Sequence, residues 1–177
     1  MKKLLALLML LCVALAPAAS PAETETASDV TWEAYGDPLA AELGLEGMFI
    51  VLHELGLAFW VPSGMAYTQP SEADAADGRY ALFMDDGRRL AVDRVDADGV
   101  TLEQACENAA ADGMKEPGLG RVNGLDVLTY EDEENSAGCV VLADAGSMII
   151  FRFAPLDGEA AKQVCSIITS SIMPFGK

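Results

Sequence analysis

Histidine and basic residues are scarce in this chain, and the scarcity excludes most familiar chemistries. His53 is the single histidine among 177 residues, and 11 Lys and Arg stand against 28 Asp and Glu, a formal charge of −17. A zinc-protease signature needs two histidines on one helix face, but His53-Glu54-Leu55-Gly56-Leu57 carries leucine where the second should be. It reads as an ordinary histidine at a strand end. A dyad of this histidine with a cysteine stays formally open, although nothing in the sequence positions one. No Gly-x-Ser-x-Gly elbow, phosphate-binding loop or Cys-x-x-Cys pair occurs. The shortage of Lys and Arg disfavours nucleic acid and anionic membranes as partners, because phosphate recognition depends on clustered cations. No catalytic, cofactor-binding or metal-binding residue is assigned from the sequence.

Apolar runs long enough to span a bilayer are missing as well. Residues 4–16 form an unbroken apolar run, and thirteen residues reach only ~20 Å as a helix against a hydrocarbon core of ~30 Å. Lys2 and Lys3 precede the run, and Pro17 ends it before Ala18-Ala19-Ser20-Pro21-Ala22. This is the pattern of a signal peptide over residues 1–22, cleaved after Ala22 or, alternatively, after Ala18. Cys12 raises a lipoprotein reading, but Leu10-Leu11 precede it where a small residue is required, and it lies inside the run. A retained anchor is opposed by length. The mature part, residues 23–177, keeps nine Lys and Arg against all 28 acids, a formal charge of −19. It is expected to be secreted, periplasmic or at the cell surface, and its length suits one core.

Residues 23–46 read as a flexible acidic tether with a short helix over residues 38–45, Asp37 being its N-cap and Pro38 its first residue. Residues 47–177 read as a single α+β domain. Met48-Phe49-Ile50-Val51-Leu52 and Leu57-Ala58-Phe59-Trp60-Val61 are β-branched and aromatic, hence strands, with Trp60 turned inward. Residues 72–78 read as a polar loop. Asn123-Gly124, between two apolar runs, predicts a type I′ hairpin.

Residues 80–106 align without gaps with residues 139–165. Asp85, Gly87, Asp98, Gly99, Gln104 and Cys106 match Asp144, Gly146, Asp157, Gly158, Gln163 and Cys165. Each copy reads as strand, Asp-x-Gly turn, strand, Asp-Gly loop and amphipathic helix, a ββα unit. The first helix opens on Thr101-Leu102-Glu103-Gln104, a capping box. Shared turn grammar explains the likeness as well as duplication does. The expected fold is α+β: a largely antiparallel sheet of about six to eight strands with two main helices.

The three cysteines after the leader leave two readings open. Cys106 and Cys165 lie on apolar helix stripes, and Cys106, Cys139 and Cys165 could all be buried thiols acting as small hydrophobes. If the two equivalent helices pack side by side, Cys106 and Cys165 could instead form a disulfide in an oxidising compartment. Asp96-Ala97-Asp98-Gly99 resembles part of a calcium loop, but Arg94 and Ala105 occupy two obligatory ligand positions. Glu131-Asp132-Glu133-Glu134-Asn135 reads as a solvated hairpin end that discourages edge pairing. Trp32, Tyr35 and Trp60 are not spaced as a stacking platform.

The order of elements resembles the PsbP-like superfamily of small secreted domains. An early hairpin ends in Phe59-Trp60-Val61-Pro62-Ser63-Gly64; a ββα unit, the Val122-Asn123-Gly124-Leu125 hairpin and Phe153-Ala154-Pro155-Leu156-Asp157 follow. The resemblance covers roughly residues 48–172 and rests on order and spacing. It implies an antiparallel sheet with helices on both sides and a docking or assembly role, and it carries over no functional residue. The expected function is a secreted, non-catalytic accessory or binding domain whose partner is another exported or cell-surface protein. The competing classes are an extracellular hydrolase using carboxylates alone and a structural cell-surface protein.

Overall fold

Side-chain alternation along the strands decides where the core lies. A computed structural model describes residues 29–97, 99–132, 135–143 and 146–176. The expected signal peptide, Cys12, Asp98, Glu133, Glu134 and Asp144 lie outside the described residues. The strands are β1 (Asp29–Val30), β2 (Gly47–Leu52), β3 (Leu57–Pro62), β4 (Ala66–Thr68), β5 (Arg79–Met84), β6 (Arg89–Asp96), β7 (Lys115–Val122), β8 (Leu125–Glu131), β9 (Ala137–Ala143), β10 (Ser147–Ala154) and β11 (Met173–Pro174). Among the described residues, four α-helices join them: α1 (Asp37–Glu42), α2 (Glu72–Ala76), α3 (Leu102–Ala111) and α4 (Gly158–Ser171).

Eight strands form one sheet in the order β1-β7-β8-β9-β10-β6-β5-β4, antiparallel except for the β1–β7 pair. Three more form a smaller antiparallel sheet, β11-β3-β2. The fold is α+β with a largely antiparallel sheet, as expected; the separate small sheet is an addition to that expectation.

Because side chains alternate between faces, Val127, Cys139, Val141, Ile149, Phe151 and Phe153 enter the main core, which we call the inner side. Leu128, Val140 and Met148 join a second cluster on the outer side. The inner side is covered by the small sheet, a π-helical turn (Trp32–Gly36), α1 and α4; α3 covers the outer side by packing on β7 and β8. Phe59 of β3 is fully buried at the centre, its ring edge-on to Phe151 at 5.2 Å and Phe83 at 5.7 Å.

Both ββα units form as predicted: β5-β6-α3 and β9-β10-α4. Asp85 Oδ1 accepts hydrogen bonds from the amides of Gly87 (3.1 Å) and Arg88 (2.8 Å), so the Asp-x-Gly turn is braced as its chemistry requires. The hairpin at Asn123-Gly124 has φ of 46° and 79°, the type I′ signature.

Three local expectations are corrected. The segment 29–46 is docked, because β1 pairs with β7 and Trp32 packs against Phe49 and Trp60 at ring distances of 5.2 and 5.8 Å. Helix α1 begins at Asp37, with Gly36 as its N-cap. The expected loop at residues 72–78 contains α2, nucleated by a capping box: Ser71 Oγ accepts from the Asp74 amide at 3.1 Å, and the Asp74 carboxylate accepts from the Ser71 amide.

Candidate functional site

Helix α3 starts where its capping box dictates. Thr101 Oγ1 accepts from the Gln104 amide, and Gln104 Oε1 accepts from the Thr101 amide at 3.0 Å. The stripe the helix turns to the sheet is Leu102, Ala105, Cys106 and Ala109. Leu102 reaches the outer core, but Ala105 and Ala109 are too short to fill the space above Leu128, Val140, Met148 and Ile150. An apolar cleft of about 280 Å³ results, with Asp96, Asn108 and Asp112 among its polar lining residues.

Tyr130 lines this cleft and belongs to a row of polar side chains on the outer face of the sheet. Cross-strand register aligns Tyr130 with Gly138, and Gly138 with Arg152. The ring of Tyr130 lies directly over Gly138, where an added Cβ would meet its Cζ at 2.3 Å, so only glycine permits that ring position. Burial raises the Tyr130 hydroxyl above its ordinary pKa, while the neighbouring Arg152, hydrogen-bonded to it, acts in the opposite direction. Arg152 Nε also lies 3.6 Å from Asp93 Oδ2, and Arg79 Nε donates to Asp93 Oδ1. Asp93, only 6% exposed, thus sits between two guanidinium groups. This partnership is what makes burial of its carboxylate tolerable.

A second depression, about 340 Å³, opens at the edge where the two sheets meet. Ile50 and Leu52 of β2 line one wall; Tyr67, Tyr80, Ala81 and Phe83 line the other.

The structure does not bring Cys106 and Cys165 together. The two helices lie on opposite sides of the large sheet, so Cys106 packs in the outer cluster and Cys165 against the inner one. All three described cysteines are free thiols. The alternative reading of a Cys106–Cys165 disulfide, which required side-by-side helices, is therefore corrected: the two units place their helices on opposite faces. The neighbour of Cys165 is Cys139; burial pushes both thiols up to about 12, and burial also raises Cys106.

His53 is exposed in a 3₁₀ turn (His53–Leu55), its ring 5.4 Å from that of Phe175. Glu54 accepts a hydrogen bond from the Tyr80 hydroxyl at 3.3 Å. In the calcium-like segment, Ala97 and Gly99 belong to the loop before α3, with the Val100 amide bonded to Ala97 O at 2.7 Å. Of the acid run, Glu131 pairs with Lys162 at 3.5 Å and Asp132 accepts from Ser136. Trp60 is buried in the core as expected. The sequence marks the cleft only by the alanines at 105 and 109. Among the described residues, no three His, Cys, Asp or Glu side chains group as metal ligands. No helix of the described residues is long and apolar enough to cross a membrane.

No family model matches the chain, and no curated protein matches it. Among solved structures it is similar to cyanobacterial PsbP (CyanoP) from Synechocystis sp. PCC 6803, determined in solution. The TM-score is 0.53 and the identity 16%, covering 90% of this chain and 100% of that one. The chain has a PsbP-like fold.

Proposed function

We propose that this chain is a non-catalytic accessory domain that binds another exported or cell-surface component, using the cleft beneath α3. The observation that carries the reading is the construction of that cleft. A helix of small residues is held off an apolar sheet face, leaving an open depression with hydrophobic walls and a few polar groups, a shape that can seat an anchoring side chain of a partner. The PsbP-like fold supports the accessory role, and the leader expected at residues 1–22 supports export.

The test replaces Ala109 with arginine, whose side chain fills the cleft from its helix wall. Exported protein is used as bait for cross-linking to cell-surface fractions. The expected result is a defined component captured by the wild type and lost with Ala109→Arg at unchanged thermal stability. Equal capture by both would overturn the assignment of the cleft. One observation favours a second reading, a carboxylate hydrolase: Asp96 and Asp112 both line the cleft. Glycoside or ester turnover abolished by Asp96→Asn or Asp112→Asn would replace the accessory reading.

A further inference from the structure

Strand β2 leaves one edge unpaired. It bonds to β3, and among the described residues no strand lies on its other side. The direction of its backbone groups follows from its neighbours. The Trp60 amide donates to Ser171 Oγ at 2.8 Å, on the side away from β2, and the Ser63 amide donates to Glu46 O at 2.8 Å. Antiparallel pairs alternate between bonded and non-bonded. Counting from Glu46, residues 48, 50 and 52 therefore bond to β3, whereas Gly47, Phe49 and Val51 turn their N–H and C=O groups outward.

The strand itself carries none of the usual protective residues. The strand Gly-Met-Phe-Ile-Val-Leu contains no charge and no proline, and Met48 and Phe49 are 60% and 40% exposed. Natural edge strands are normally blunted by lysine, proline or a bulge. Beside it lies the 340 Å³ depression, walled by Ile50, Leu52, Tyr67 and Phe83. A strand added to β2 would direct every second side chain into that space.

Charge selects the occupant. Residues 29–78 contain nine Asp and Glu and not one Lys or Arg, and Glu46 and Glu54 flank β2 in exposed positions. A second copy would place like charges against like. We propose that β2 is a docking edge for an extended segment of a partner chain, with apolar residues at alternate positions and Lys or Arg between and around them. The main-chain bonds of Phe49 and Val51 would supply affinity, the depression would select the apolar residues, and the acidic flanks would select the cations. This surface is separate from the cleft beneath α3, and its test does not depend on that site.

The probe is a labelled peptide in which three valines alternate with threonine and lysine, compared with its counterpart carrying glutamate for lysine. Fluorescence anisotropy is expected to show the lysine peptide binding more tightly by at least about tenfold, with the difference shrinking as salt screens it. Hydrogen exchange at the Phe49 and Val51 amides should slow on binding. Val51→Pro removes an outward donor where proline is tolerated, and Met48→Lys adds an edge charge at an exposed site; each should weaken binding by about tenfold or more. Unchanged exchange in the core strand β3 verifies that both variants fold. Equal affinity for the two peptides, or no new protection at Phe49 and Val51, would overturn the proposal. Protection of those amides before peptide is added would also overturn it, assigning the edge to a second copy or to another segment of this chain.

Discussion

Asn123 commits its side chain to three backbone groups far away in sequence. Oδ1 accepts from the Trp32 amide, and Nδ2 donates to the carbonyls of Ser170 and Ile172, each at 2.8 Å. The same residue adopts the positive φ of a type I′ turn, and its own amide donates to Val30 O at 3.0 Å. One hairpin tip therefore fastens both the N-terminal segment and the end of α4. Asn123→Ala would leave one donor and two acceptors in a half-buried site and add strain at a positive φ. Unmet polar groups cost about 1–3 kcal/mol each where burial is complete; with partial exposure, a loss of about 3 kcal/mol in urea unfolding is expected. Asn123→Gly keeps the turn but loses the same bonds, so it should recover about 1 kcal/mol of that loss. A loss below about 0.5 kcal/mol for both variants, the range of neutral surface changes, would contradict the latch.

At the scale of elements, the thiols report how the two ββα units are arranged. With α3 outside and α4 inside the sheet, no cysteine of one helix can reach the other. Unreduced protein denatured in urea is expected to titrate three thiols from Cys106, Cys139 and Cys165; one would restore the disulfide. In the native state Cys106, half-buried in the outer cluster, should react first. Cys139, buried and held near 12, should react only on unfolding, whereas Cys165, partly exposed but also held near 12, should react between the two. Unfolded thiols ionise near 8.5, so stability from these two groups is complete below that pH. It declines as pH rises through the interval, because the folded form retains protons that the unfolded chain releases. The units themselves were legible because their punctuation is local: the Asp85 turn, the Asn123-Gly124 hairpin and the Thr101 box each specify their geometry within four residues. Their opposite placement was not, since an apolar stripe shows that a helix buries a face without showing which side of the sheet receives it. The small sheet was obscured because β3 is buried along its whole length and lacks the alternation that identifies a partly solvated face. The cleft is not legible in the sequence for a related reason: Ala105 and Ala109 satisfy helical periodicity whether or not the space beneath them is filled. The Tyr130, Gly138 and Arg152 row depends on cross-strand register, which no single segment contains.

For the whole molecule, charge is distributed as unevenly as structure. Five cations, Arg79, Arg88, Arg89, Arg94 and Arg152, fall on β5, its turn, β6 and β10, whereas residues 29–78 contain none. Several are already matched: Arg79 and Arg152 with Asp93, and Arg88 with Asp85 at 2.5 Å. Burial alone would raise Asp85, but bonds from Arg88 and the amides of Gly87 and Arg88 outweigh it and hold its carboxyl low. What remains is a large excess of acids whose mutual repulsion opposes compaction. Exposed pairs such as Arg121 with Asp126, 3.9 Å apart, contribute only about 0–1 kcal/mol, so salt has little attraction to weaken there and much repulsion to screen. Raising sodium chloride from ~10 mM to ~0.15 M shortens the screening length from ~30 to ~8 Å. The midpoint of urea unfolding is expected to rise over that interval at unchanged slope, the signature of a gain in stability without a change in exposed surface. A falling midpoint would mean that the paired arginines, rather than the unpaired acids, dominate the electrostatics of the fold.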